Sequence, residues 1–441
     1  MIEQEPLFIP MLAGRVAIAT AALTHSLFAT FIVGTSLIAA AVATVWFLSR
    51  APEHQRLARA LAFTLVLATG TVSFFGVIFV FSLNIFWPRF WHRIFHIMMW
   101  PFLAEVMLFL GEAILAYAWY YLWDWSSRHA VYRRWHLGFI WGAALCAVSA
   151  MFMIDITASY MLTPFPAESG WQNVLNPTMI HLDLHRWFGN LTWAGFALAG
   201  INAVGLVRAK DSSERAYFQW AADRFFVIGF GALLVMPIIG YQYLLHLRYG
   251  QPQAFQVLML GERSWLFDLV ALLYGLLVFL GSLHVVHMVR QQRRESPLSA
   301  ALVLVSTIII GLAAVILAMP YHIQHIPFAS LLTDREINPI GKMQPNKYFA
   351  LSFLFAFGLV NSICSIRALR QSHGLQDYPQ PPCIRTTSIL LAISVCSIVI
   401  MLTMGWTRET ARAYNGYLIY NQFSLGDERN TYAGPPRALK N

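Results

Sequence analysis

Charge is what this sequence has least of: only 12% of its 441 residues are Asp, Glu, Lys or Arg, where a soluble domain carries about a quarter. A soluble enzyme of this length is excluded. The four cysteines, Cys146, Cys364, Cys383 and Cys396, form no CxxC pair and no CxxCH attachment site, so neither a disulfide framework nor a covalently held c-type haem is encoded. The opening stretch has no basic residue before Arg15 and therefore lacks the positive n-region of a cleaved signal peptide. The first apolar run is expected to remain as a helix. Low-complexity stretches and solenoid-period repeats are also lacking.

Apolar residues take the place of charge. They make up 58% of the chain, and the mean hydropathy is +0.57. They fall in runs of about 20 or more residues, long enough to cross a hydrocarbon core of about 30 Å. The fold class that follows is all-α: a polytopic membrane bundle of about ten helices. The spans begin near Val16, Leu61, Met98, Leu137, His181, Phe225, Trp265, Ala300, Tyr348 and Ser388.

Basic residues cluster in every second connection. Arg50, Arg56 and Arg59 follow the first span, Arg128, Arg133 and Arg134 the third, Arg208, Lys210 and Arg215 the fifth, and Arg290, Arg293 and Arg294 the seventh. Lys and Arg are retained on the cytoplasmic side, so both termini are expected outside. The net charge of +9 is then a basic cytoplasmic face rather than a nucleic-acid surface. Trp91, Trp100, Trp123, Trp125, Trp135 and Trp187 sit at span ends, as in an interfacial aromatic belt. Residues 1–405 form one membrane domain, and 406–441 a polar, aromatic tail on the outer surface.

Ionisable side chains within apolar spans are expensive and face the protein interior, which makes them functional candidates. They are His25 in the first span, Glu105 and Glu112 in the third, Asp155 in the fourth, His181, Asp183 and His185 at the head of the fifth, and Asp268 in the seventh. His25 lies about ten residues in from the outer end, Glu105 about seven and His185 about four, which places all three in the outer half at 1.5 Å per residue. Glu112 returns to nearly the face of Glu105 about 10 Å deeper, a step of a proton path toward the cytoplasm. Imidazoles and a carboxylate on different apolar helices at one depth suit haem groups in a bundle, with arginines for the propionates. Arg15, Arg89, Arg93 and Arg186 lie near that depth.

His54, His129, His136 and His373 are expected on solvated cytoplasmic loops, and His284 and His287 as interfacial anchors at the end of the seventh span. His92, His96, His246, His322 and His325 fall on the outer side, where they are candidates to line a donor site. For Asp155 and Asp268 the sequence leaves two roles open, buried hydrogen bonding or a second proton route.

The first half of the chain resembles subunit I of the cytochrome bd-type terminal oxidases. In GRVAIATAALTHSLFATFIVG, Arg15 precedes His25 by ten residues, the family's spacing between an arginine and a haem-ligating histidine. LATGTVSFFGVIFVF, NIFWPRFW and PFLAEVMLFLGEA follow the family layout. By this resemblance His25, Glu105 and His185 bind iron: Glu105 takes the place of a glutamate at one haem of the high-spin pair. His185, in HLDLHRWFGNLTWAGFALAG, takes that of a ligand of the low-spin haem b. Glu112 takes the place of a second glutamate on the same helix, although the family separates the two by eight residues and this chain by seven. In MGWTRETARAYNGYLIYN, Arg408 and Arg412 look like propionate partners, with Arg15.

The second half departs from the pattern. The short segment LRYGQPQAFQVLMLGERSW stands where quinol-oxidising members carry a long hydrophilic loop, so their quinol site does not transfer. NKYFALSFLFAFG lacks the family's arginine and axial methionine, leaving Met236, Met343 or no protein ligand opposite His185. The resemblance implies a membrane oxidoreductase with two haems b, and a third b or a haem d, that reduces O2 to water. It also implies a second bd-like membrane subunit, a quinol or cytochrome c donor, and residence in the bacterial cytoplasmic membrane. Glu105 and Glu112 would be its catalytic carboxylates. Two alternatives stand beside it: a haem-b electron conduit that does not reduce O2, and a proton-coupled transporter using the intramembrane acids.

Overall fold

The structure is a computed structural model that describes residues 14–163, 174–260, 265–291, 297–318, 345–371, 375, 378 and 384–414. Thirteen helices and no strands occur among them. They are α1 (Gly14–Ser49), α2 (Pro52–Phe86), α3 (Pro88–Ile97), α4 (Met99–Tyr121), α5 (Trp123–Ser127), α6 (Ala130–Tyr160), α7 (Met179–Arg208), α8 (Ser212–Gly250), α9 (Pro252–Leu260), α10 (Trp265–Gln291), α11 (Pro297–Ala318), α12 (Pro345–Gln371) and α13 (Ile384–Tyr414). Ten of these are long and apolar enough to cross a membrane. The chain is thus the polytopic helical membrane protein its apolar runs predict.

Proline sets many of the helix starts. Pro52, Pro88, Pro252, Pro297 and Pro345 each occupy the first position of a helix, where the missing N–H costs nothing and the fixed φ suits the first turn. The α1–α2 hairpin is closed by Arg50, a left-handed residue with φ of 59°, whose N–H bonds Trp46 O at 2.9 Å. Extended Ala51 then leads into Pro52. Pro237 lies inside α8 and removes one rung of its hydrogen-bond ladder.

Two compact units divide the chain. The first is drawn from Met1–Arg186, His246–Val257 and Arg408–Asn441, the second from Trp187–Leu245 and Leu258–Thr407.

In the first unit α1 packs on α2 and α6, and α4 on α6. Short amphipathic α3 redirects the chain between α2 and α4. It buries Phe90 and Ile94, one turn apart, and leaves Arg89, His92, Arg93 and His96 on other faces, the pattern of a helix lying in a membrane interface. Leu83, Phe86, Trp87, Phe90, Ile94 and Tyr160 form the core beneath it. At the other end Trp46 stacks on Trp123 at 5.0 Å, and His136 Nε2 donates to Trp119 O at 2.7 Å. His136 is 2% exposed, which corrects its expected place on a solvated loop. It belongs to α6, and the indoles of three neighbouring helices enclose it.

In the second unit α10 packs on α11 and α12, and α11 on α12. Backbones touch where α7 crosses α8: a Cβ on Gly195 would lie 2.6 Å from Gly229 N, an approach that only glycine permits. Cys383, His322, His325, His373 and Met343 lie outside the described residues, as do 415–441 of the expected tail; residues 406–414 continue helix α13.

Candidate functional site

His25, Glu105 and His185 all belong to the first unit. His25 projects from α1 onto α2, where its Nδ1 lies 3.3 Å from the carbonyl oxygen of Val72. A carbonyl only accepts, so Nδ1 carries the proton and Nε2 keeps its lone pair. Gly76, one turn after Val72, makes room for the ring: a Cβ there would sit 3.1 Å from His25 Cε1. Phe79, also of α2, stacks on the ring with centroids 6.1 Å apart. An imidazole oriented through one nitrogen, with the other available, has the arrangement of a metal-bound histidine.

On α4, Glu105 is half-buried and makes no hydrogen bond or ion pair with a described residue. A carboxylate left so in an apolar helix is available to an added positive centre. Glu112, two turns further along α4, is 3% exposed and accepts from Ser36 Oγ of α1 at 3.5 Å. A Cβ on neighbouring Gly111 would touch Cys146 Sγ of α6 at 3.2 Å. Glu112 is therefore enclosed by α1 and α6, while Glu105 stands nearer the start of its helix.

His185 lies in the second turn of α7. It is preceded by His181, whose ring stacks on His246 with centroids 3.7 Å apart, and followed by Arg186, which forms an ion pair with Asp155 of α6. Asp155 is fully buried and accepts a hydrogen bond from Arg186 Nη1. In the second unit Met236 Cε lies 3.4 Å from the Cβ position of Gly189, one turn beyond His185 in sequence. Arg15 is exposed near the start of α1. Arg408 pairs with its neighbour Glu409 at 3.3 Å, and the side chain of Arg412 lies outside the described residues.

No three His, Cys, Asp or Glu side chains converge among the described residues. His25 and His185 stand instead as single imidazoles on separate helices, which is how a protein ligates an iron whose other positions a porphyrin fills.

A profile of the cytochrome bd terminal oxidase subunit I family matches residues 13–259, more than half of the chain and all of α1 to α8. The chain belongs to that family. Among curated relatives, the cytochrome bd ubiquinol oxidase subunit 1 of Bacillus subtilis (strain 168) is 23% identical over 254 residues, 55% of this chain and 52% of that protein. The chain thus matches about half the length of that relative. Among solved structures, a chain of the bd oxidase from Geobacillus thermodenitrificans superimposes with a TM-score of 0.51 and 15% identity. The match covers 91% of this chain and 97% of that one. The bd fold therefore extends into the half where the sequence pattern departs.

Three features escaped the sequence. Asp223 precedes the residue at which the sixth span was expected to begin, yet it is 3% exposed and bonded to His284. His284 is fully buried, which corrects its expected role as an interfacial anchor. Lys347 pairs with Asp268 at 2.7 Å, so Asp268 is a paired acid. The signal for the first was present: an acid and a histidine on spans six and seven, both near the basic loops.

Proposed function

We propose that the chain is the haem-carrying redox subunit of a bd-like terminal oxidase, passing electrons from a low-spin haem b at His185 to a high-spin pair at His25 and Glu105, where O2 is reduced to water. The observation that carries this reading is the His25 cradle: Val72 O fixes the tautomer, Gly76 makes room for the ring, and Nε2 is left for a ligand. The cofactors are two haems b with a third b or a haem d. Bound haem supplies reversible one-electron storage and an iron position open to O2.

The chain's own residues supply position, dielectric and protons. His25 and His185 would hold iron, each through one imidazole nitrogen. Glu105 offers its carboxylate at the predicted outer level. Glu112, enclosed between helices, holds a proton for delivery from the cytoplasmic side, and Ser36 Oγ orients its Oε1. Arg15, Arg408 and Arg412 are the propionate partners. The subunit lies in a bacterial cytoplasmic membrane with both termini outside, beside a second bd-like membrane subunit, and takes electrons from quinol or a cytochrome c.

The test is a reduced-minus-oxidised spectrum with pyridine haemochrome analysis on the purified complex, with and without carbon monoxide, for the parent, His25→Ala and His185→Ala. Separate loss of the high-spin and low-spin signals, with a CO-sensitive parent, is expected. A CO-insensitive b-type spectrum would leave an electron conduit, and a complex without haem would overturn the reading.

A further inference from the structure

The first unit contains a buried charge pair to which the proposed function gives no part. Arg186 follows His185 in α7, and its Nη1 donates to Asp155 Oδ1 of α6. The Asp155 side chain is 0% exposed and that of Arg186 18%. The pair is not isolated. The Arg186 charge acts on His25, and Asp183 interacts electrostatically with both partners. Asp183 Oδ1 is itself buried without a hydrogen-bond partner. One guanidinium thus stands among two carboxylates, beside one candidate iron ligand and within electrostatic reach of the other.

Helix joining alone does not account for such a pair. Removing two charges from water costs several kcal/mol per ion, and an apolar pair of similar volume commonly holds two helices as well or better. What an apolar pair does not supply is a fixed field in a low-dielectric interior. A positive charge there favours the state with one more electron, and a negative charge disfavours it.

Resting on the haem reading above, we propose that Arg186 and Asp155 are positioning residues that set the relative reduction potentials of the haems held at His185 and His25, and so the direction of electron passage between them. Arg186 supplies the reducing-state stabilisation and Asp155 opposes it. Neither residue binds iron or O2.

Spectroelectrochemical titration of each haem signal in the purified complex tests this, using the near-isosteric variants Arg186→Gln and Asp155→Asn. Arg186→Gln is expected to lower the midpoint potential of at least one haem, and Asp155→Asn to raise it. Band positions and haem content should match the parent. Arg186→Lys should return the potential toward the parent value. A merely structural pair predicts shifts of the same sign, or none, and either result with haem retained overturns the proposal. Should a single variant fail to assemble, the double variant, which leaves no unpaired charge, must show a potential nearer the parent than the single variant that does assemble. A parent complex without haem would instead remove the reading on which the proposal rests.

Discussion

Asp223 and His284 meet at 2.9 Å, carboxylate oxygen to Nε2, inside the second unit. Their side chains are 4% and 0% exposed, and Phe226 meets the imidazole edge-on at 4.5 Å. Gln219 and Gln291 bond at 2.8 Å about one turn earlier in α8, so two polar contacts join α8 to α10. Leaving one member of a buried hydrogen-bonded pair unsatisfied costs about 1–3 kcal/mol. Asp223→Ala should therefore lower the melting temperature of the detergent-solubilised protein, and Asp223→Leu combined with His284→Phe should recover part of the loss. A melt of Asp223→Ala that matches the parent would mean the pair contributes nothing to stability.

Gly195 and Gly70 make opposite predictions for the same substitution. A Cβ at Gly195 would lie 2.6 Å from Gly229 N and 2.8 Å from Phe225 O, while at Gly70 nothing lies within 4 Å. Gly195→Ala should destabilise by about 1–3 kcal/mol, because two backbones must separate. Gly70→Ala should be neutral or stabilising by up to about 1 kcal/mol, the helix-propensity difference. Parallel thermal melts distinguish them.

Gly76→Ala should act on one haem signal and spare the other. The added methyl would sit 3.1 Å from His25 Cε1 and 3.3 Å from Nδ1, so the ring must give by a few tenths of an ångström where it contacts Val72 O. Difference spectra should show an altered or diminished high-spin signal with the His185 signal intact. Equal loss of both would point to misfolding of the unit.

Glu112→Gln should slow turnover without releasing haem. The amide keeps the shape of the buried side chain but holds no exchangeable acid proton, and positioned proton transfer contributes about 10²–10⁴-fold. Oxygen consumption per haem should fall at least about tenfold. Ser36→Ala, which removes one long hydrogen bond of 3.5 Å, should cost about fivefold or less, the equivalent of about 1 kcal/mol. Parent-like turnover in Glu112→Gln would remove this residue from the proton path.

Hydropathy alone determined the class of fold: ten apolar runs became ten membrane-length helices, because each backbone group in lipid must bond within its own segment. The 3.6-residue period placed Glu105 and Glu112 on nearly one face of α4. Tertiary structure decided which polar groups meet. Val72 presents only a carbonyl and Gly76 only an absence, so neither carries a sequence signal, yet together they orient His25. Asp155 has two open roles in the sequence, and its partner Arg186 lies 31 residues away; His136 and His284 have the sequence context of solvated or interfacial groups, yet aromatic side chains from other helices cover them. Burial of a polar group is a property of its neighbours. It depends on contacts between distant segments, which periodicity and hydropathy do not encode, and helix packing alone fixes them.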